Sequence, residues 1–142
     1  MTRQQLKTSP IDVSTAPATV RGIVEHGNEW GRVIGFPTAN IVAPGLLAHA
    51  GIWAGIVRGA SLPAEGVIAA VSVGTRPTYY GETGAVLLEA HLLDFNADLY
   101  DQELSVELRV LLRAEVKFET TELLVEQLRI DVQNTRDWAA TL

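Results

Sequence analysis

The feature that most constrains the fold is a series of short apolar and β-branched runs separated by turns that contain glycine and proline. The last run is the most regular, because apolar side chains alternate with polar ones from Leu104 to Val110. Such alternation is typical of a strand with one buried and one solvated side. Short strands at turn-bounded intervals predict an antiparallel sheet that is closed, or nearly closed, into a barrel. We predict strands at residues 19–25, 51–58, 67–73, 85–93 and 104–112.

The C-terminal segment has a helical period. Leu124, Leu128 and Val132 recur at every fourth position and are flanked by charged residues, which predicts an amphipathic helix from Thr121 onward. Thr120 or Thr121 is a suitable N-cap, since a threonine oxygen accepts a hydrogen bond from a free N–H of the first turn. A single helix of this kind would cover one face or one end of the barrel.

The length and charge of the chain limit its class. A chain of 142 residues suits one domain with a real core. Residues 1–17 are polar and lack clear periodicity, so we predict a mobile N-terminal arm followed by a barrel domain over residues 18–142. The formal net charge of -6 argues against a general nucleic-acid or anionic-membrane surface, whose footprint is basic.

Other absences in the sequence limit the chemistry and the cellular location that we expect. Cysteine does not occur, which excludes disulfides, thiolate metal sites and a cysteine nucleophile. The N-terminal residues lack the apolar region of a secretory signal, and no apolar run approaches the ~20 residues of a membrane-spanning helix. We therefore expect a cytoplasmic monomer with neither a nucleic-acid nor a membrane partner.

One segment, residues 26–40, concentrates residues that suit an anion site. Gly27, Gly31 and Gly35 recur every fourth residue, with the cation Arg32 among them. Glycine permits close backbone approach, and successive N–H groups in such a turn can form a concave site for phosphate. Neither a G-x-x-x-x-G-K-[ST] nor a G-x-G-x-x-G motif is present, so a phosphate site here would be of another type. The alternative interpretation is a glycine-rich surface turn without a ligand.

The same segment ends in Pro37-Thr38-Ala39-Asn40. If this piece is extended, the side chains of Thr38 and Asn40 project to the same side. A hydroxyl and an amide oxygen facing the same way suit a hard cation such as Mg²⁺, which is usually shared with the phosphates of a nucleotide. The alternative for Thr38 is a local bond between its hydroxyl and the backbone after the proline.

Glu89 is the strongest catalytic candidate, because it lies within an apolar run from Val86 to Leu93. A carboxylate in such a strand must be paired, protonated or functional, since burying it alone is costly. The alternative is that Glu89 lies on the solvated face of an edge strand.

Taken in order, the motifs of this chain resemble those of the riboflavin kinase (flavokinase) family. The resemblance runs from about Val20 to the C-terminus, where Gln127 and Asp131 fit the closing helix. It is carried by residues 20–24 (VRGIV), 27–40, 73–78 (VGTRPT), 89–95 with 98–100 (EAHLLDF and DLY) and 112–118. The resemblance implies a mainly β fold, a six-stranded antiparallel Greek-key barrel with a C-terminal α-helix.

The resemblance also implies an activity, that of an ATP:riboflavin 5′-phosphotransferase that makes FMN and ADP. Glu89 matches the catalytic glutamate, whose implied role is general base for the 5′-hydroxyl of riboflavin. Thr38 and Asn40 match the positions for Mg²⁺, the implied cofactor, which would arrive with ATP. The implied nucleotide-binding residues are Gly27, Gly31, Arg32, Gly35, Pro37, Thr38 and Asn40, and the implied flavin-binding residues are Glu89, Arg113 and Glu115.

Many bacterial proteins of this resemblance carry an adenylyltransferase domain upstream of the kinase. A chain of 142 residues leaves no room for it, so the resemblance implies a stand-alone kinase module. Two alternatives stay open, a barrel that binds flavin or FMN as a carrier or sensor, and a kinase that acts on another alcohol. The presence of Glu89 together with Thr38 and Asn40 favours the riboflavin kinase, because a pure binder needs no base.

Overall fold

The computed structural model of the protein describes residues 14–26, 30–76 and 85–142. Gly27, most of residues 1–17 and most of the predicted loop after Gly74 lie outside the described residues. The described residues form six strands, β1 (Ala18–Glu25), β2 (Ala39–Ile41), β3 (Gly51–Gly59), β4 (Val67–Arg76), β5 (Ala85–Leu92) and β6 (Glu103–Arg113). Their helical elements are α1 (Trp30–Val33), a 3₁₀ turn (Leu46–His49) and α2 (Thr121–Ala139).

The strands close into an antiparallel barrel with the order β1-β2-β5-β4-β3-β6. The ladder between β1 and β6, in which Val20 lies opposite Val106, closes the cylinder. This architecture confirms the expected six-stranded barrel with a C-terminal helix. The five predicted strands are all present, whereas β2, α1 and the 3₁₀ turn were not predicted.

The core fills the interior of the barrel with inward-facing side chains from all six strands. Trp53, Ile41, Leu88, Val71 and Leu108 are each 0% exposed. The indole Nε1 of Trp53 donates a hydrogen bond to the carbonyl oxygen of His49 at 2.9 Å, which satisfies the one polar group of that side chain. The remaining side chains of each strand point outward, and they form the surface on which the candidate site lies.

Helix α2 packs against β3 and β4 on the outside of the barrel. The predicted cap is confirmed, since Thr120 Oγ1 accepts a hydrogen bond from the backbone N–H of Leu123 at 3.1 Å. The helix buries Asp131, which is 2% exposed, and its carboxylate binds the guanidinium of Arg113 on β6. Within the described ranges, no helix is long and apolar enough to cross a bilayer.

The last turns of α2 are tied to the end of β5 by a second ion pair. Arg136 donates to both carboxylate oxygens of Asp94, at 2.7 and 3.0 Å. Asp94 has a φ of 56°, in the left-handed region that aspartate and asparagine adopt more readily than most residues. The hydrogen bonds from Arg136 and the charge of that guanidinium lower the pKa of Asp94 below its ordinary value of 3.8.

This pKa shift predicts how the stability of the protein depends on pH. Because the folded-state pKa of Asp94 is lowered, its contribution is fully present above the unfolded pKa of 3.8 and is lost as pH falls through the lower folded value. We expect Asp94→Asn, which tolerates the same backbone conformation, to have a lower Tm than the wild type at pH 7. The two Tm values should converge in scans carried out progressively below the unfolded pKa. A Tm difference that is constant across this pH range would contradict the assignment.

Candidate active site

The register of three neighbouring strands places Asn40, Glu89 and Ser72 in one transverse row. Asn40 of β2 lies opposite Glu89 of β5, and Glu89 lies opposite Ser72 of β4. The residues next to them in each strand face the core, so these three side chains face outward on the same side of the sheet. Strand β5 is paired on both sides, so the edge-strand interpretation of Glu89 is wrong, and its side chain is half-buried.

Thr38 lies directly before β2, two residues from Asn40. The Thr38 hydroxyl donates a hydrogen bond to the side-chain oxygen of Asn40 at 2.8 Å. The same-side placement predicted for the two side chains is confirmed, and the hydroxyl bonds to a side chain instead of the backbone. Asn40 is only 9% exposed, so the hydrogen bond from Thr38 lies in a largely covered position, opposite Glu89 in the ladder.

The donor set at Thr38 and Asn40 decides what kind of metal these residues fit. Both offer neutral oxygens, and the Thr38 hydroxyl keeps its acceptor lone pairs while it donates. Among the described residues, no group of three His, Asp or Glu side chains is arranged to hold a metal ion. This set therefore fits a hard cation that brings most of its ligands with it, as Mg²⁺ does when it is bound to nucleotide phosphates.

Residues 31–36 form a compact turn in front of β2. Gly35 has a φ of 93°, a conformation that costs glycine nothing. A side chain on Gly31 would overlap the carbonyl oxygen of Phe36, whose N–H in turn donates to the Gly31 carbonyl at 2.6 Å. These two glycines let the chain reverse tightly, and the reversal brings Arg32 back towards Thr38.

His91 holds the end of this turn. Its Nδ1 lies 2.7 Å from the carbonyl oxygen of Pro37, and its ring packs edge-on against Phe36 at 5.5 Å between centroids. Because His91 is two residues from Glu89 on the same outward side of β5, the turn that carries Thr38 is fixed to the strand that carries the candidate base.

A cleft opens beside Thr38, and sequence reasoning missed its far wall. One side contains Arg32, Pro37 and Thr38, and the other is the connection from Phe95 to Tyr100. The ring of Tyr100 stacks on His26 at 4.2 Å between centroids. The DF and DLY motifs indicated that this connection belongs to the family pattern. A motif does not show which of its side chains line a cleft, so the wall was not predicted.

Arg113 lies in the same transverse row as Glu89, three strands further along. It is opposite Ile52 of β3, which is itself opposite Ser72. Its Nε and Nη2 donate to Asp131 at 2.8 and 2.7 Å, and its Nη1 donates to the Ala114 carbonyl at 3.1 Å. The structure therefore places Arg113 at the contact between β6 and α2, and its predicted flavin contact stays a prediction.

A wider groove lies on the opposite side of the barrel, across β1, β6 and the end of β3. Arg21, Ser105 and Arg58 face outward there in one row. Arg58 is paired with Glu107 at 2.6 Å, and Glu103 also lines the groove. None of the residues predicted for catalysis or binding lies in it.

The comparison with known proteins decides the family of the chain. Residues 14–139 match the riboflavin kinase family, described as Flavokinase. The chain belongs to this family. It is 35% identical over 128 residues to a bifunctional riboflavin kinase/FMN adenylyltransferase of Listeria monocytogenes, covering 89% of this chain and 40% of the relative. The protein of the same description from Escherichia coli K12 is 38% identical over 124 residues, covering 86% and 38%.

Solved structures give the same result for the fold. A riboflavin kinase from Trypanosoma brucei superposes with a TM-score of 0.59 at 25% identity, covering 86% of this chain and 76% of that one. A Streptococcus pneumoniae chain described as a macrolide-efflux protein superposes with a TM-score of 0.71 at 33% identity, covering 87% and 40%. The chain spans about two fifths of the length of the curated bacterial relatives it matches.

Proposed function

We propose that the protein is an ATP:riboflavin 5′-phosphotransferase that makes FMN and ADP. The observation that carries the proposal is the outward row in which the Glu89 carboxylate lies opposite Asn40, whose side chain is bonded to Thr38. A base next to two neutral oxygens that suit a nucleotide-bound cation is what phosphoryl transfer to an alcohol requires. Membership of the riboflavin kinase family supports riboflavin as the alcohol.

The proposed reaction forms one bond to phosphorus and breaks one. The primary hydroxyl oxygen of riboflavin forms a bond to the γ-phosphorus of ATP, and the bond from that phosphorus to the β,γ-bridging oxygen breaks. Glu89 accepts the hydroxyl proton, and ADP leaves. The protein contributes mainly by holding both substrates in line, because such positioning supplies a large part of the rate enhancement.

The remaining residues have roles on the nucleotide side. Thr38 and Asn40 would hold the Mg²⁺ of the nucleotide, and this cation would offset negative charge on the phosphates. Arg32 adds a positive charge at the mouth of the cleft beside Thr38. Gly31, Gly35 and Pro37 give the turn its shape, and Gly27, outside the described residues, is proposed with them from the family motif.

We expect Thr38→Val to weaken the binding of the magnesium nucleotide by about tenfold, because valine keeps the shape but removes one oxygen from the cation. Titration with ADP in the presence and absence of Mg²⁺ measures the effect, which should be lost when Mg²⁺ is omitted. Thr19→Val, on the exposed outward side of β1, is the matched control and should bind like the wild type. An equal loss with and without Mg²⁺ would show that Thr38 acts on the nucleotide alone.

The proposed activity is tested by mixing the purified protein with riboflavin, ATP and Mg²⁺ and resolving the flavins by chromatography. FMN that accumulates only with protein, ATP and Mg²⁺ is the expected result. Flavin binding without FMN would support the carrier or sensor alternative instead. A protein that neither binds riboflavin nor makes FMN would leave another alcohol as the acceptor.

A further inference from the structure

Strand β1 presents an uncovered outer face. Its outward side chains Thr19, Arg21, Ile23 and Glu25 are all exposed, and they alternate with buried or half-buried residues. Strand β3 differs, because its outward residue Ile52, on the side where α2 packs, is only 6% exposed. Among the described residues, the outward side chains of β1 therefore face solvent along the whole strand.

The middle of this outer face is apolar. Ile23 is 55% exposed, and Val42, directly after β2, is 48% exposed. Val24 lies opposite Ile41 in the ladder between β1 and β2, so the same antiparallel register brings Ile23 and Val42 side by side on the outer surface. Two neighbouring branched side chains are thus in contact with water, and burying them against another surface would be favourable.

Charges of opposite sign flank this apolar centre at equal distances. Arg21 and Glu25 lie two residues before and two residues after Ile23 on the same side of β1, roughly 6.6 Å away in each direction. Within the part of the chain that the structure describes, neither side chain forms an ion pair. Both charges are therefore available to a partner that presents the opposite order.

The outer face of β1 is complementary to itself. We propose that it is the contact surface of a symmetric homodimer, in place of the monomer expected from the sequence. If two copies meet with their β1 strands antiparallel and a two-fold axis at Ile23, each Arg21 faces Glu25 of the partner subunit, and the two isoleucines face each other. An unrelated protein would need a matching charge order of its own, whereas a second copy supplies it by symmetry.

The contact should extend towards β2 and bury a small area. Glu103 lies opposite Ile23 on the β6 side and would approach the same residue of the second copy, so repulsion between these carboxylates favours contact on the side of Val42. Two convex barrels touch over less area than a standard interface of roughly 1,600 Å². We therefore expect a weak dimer, with a Kd on the order of 10–100 μM.

Charge reversals test the pairing of Arg21 with Glu25. Arg21→Glu places two negative charges around Ile23 and Glu25→Arg places two positive ones, so each variant alone should dimerise at least about tenfold more weakly than the wild type. An equimolar mixture of the two variants should dimerise like the wild type, because every charge then faces its opposite. The double variant Arg21→Glu/Glu25→Arg should do the same. Sedimentation velocity over a concentration series that spans the expected Kd measures each sample.

Two further variants complete the test. Arg129→Glu, on the exposed side of α2, changes the net charge by the same amount as Arg21→Glu and should keep the wild-type Kd. Ile23→Ser removes the apolar centre and should weaken dimerisation by at least about tenfold. Circular dichroism confirms that the variants are folded.

Three results would overturn the proposal. A wild type that stays monomeric over the whole series would leave this face to another partner or to solvent. A dimer with the same Kd in Arg21→Glu and Glu25→Arg would place the interface elsewhere. A mixture that dimerises no better than its two components would exclude the antiparallel pairing. None of these measurements uses FMN formation, so their outcome is independent of the proposed function.

Discussion

Glu89→Gln is expected to lower kcat for FMN formation by about a hundred- to ten-thousandfold, the range that a positioned general base supplies. The amide keeps the shape of the side chain and its place opposite Asn40, so riboflavin binding should change little. Single-turnover formation of FMN with saturating ATP and Mg²⁺ measures the chemical step, and fluorescence titration measures binding.

The control for this substitution is Glu103→Gln, which removes an exposed carboxylate from the outside of β6. Strand β6 lies across the barrel from β5, so kcat should match that of the wild type. Turnover by Glu89→Gln at the wild-type rate would show that another group accepts the proton. An equal loss of riboflavin affinity and rate would instead assign Glu89 to substrate binding.

Asp131→Ala is expected to lower the stability of the protein by about 3–5 kcal/mol, because it leaves the mostly buried Arg113 guanidinium without its carboxylate partner. The Arg113 and Asp131 side chains are 22% and 3% exposed, and Gln127 also donates to Asp131 at 3.0 Å. For a chain of this size the loss corresponds to a Tm roughly 10–20 °C lower. Thermal unfolding followed by circular dichroism measures it.

Two comparisons separate the charge from the packing of this pair. The double variant Arg113→Met/Asp131→Leu should regain most of the lost Tm, because apolar replacement of a buried pair is often neutral or stabilising. Asp94→Asn, which breaks the exposed ion pair with Arg136 and tolerates the same backbone conformation, should lower Tm far less. A double variant as unstable as Asp131→Ala would assign the loss to packing, and an unchanged Tm in Asp131→Ala would show that the pair does not hold α2.

Much of the fold was predictable because the spacing of apolar residues along the chain is enough to distinguish its strands from its C-terminal helix. Strand β6 alternates between buried and more exposed side chains from Glu103 to Leu108, and α2 repeats its apolar residues every fourth position behind a threonine cap. Strand β2 was not predictable as a strand because it has only three residues. Its place between β1 and β5 is set by pairing partners elsewhere in the chain. The local spacing of apolar residues does not reveal such partners.

The candidate site was likewise predictable only in part. The shared side of Thr38 and Asn40 follows from their spacing in an extended segment, and their hydrogen bond confirms it. The carboxylate that Arg113 binds lies 18 residues further along the chain, and the Glu115 carboxylate, two residues after β6, lies against Gly74 within β4. Such contacts depend on how α2 and β6 are placed against the barrel, which local pattern does not specify.

Because β1 and β6 close the barrel, the fold can be completed only late in the synthesis of the chain. Val20 finds its partner Val106 only after most of the chain has been synthesised, whereas the ladders that join β4 to β3 and to β5 connect strands that are neighbours in sequence. Distant pairings of this kind slow the folding of β-rich domains. A nascent chain that ends before β6 has two open sheet edges, which are available for pairing with other unfinished chains.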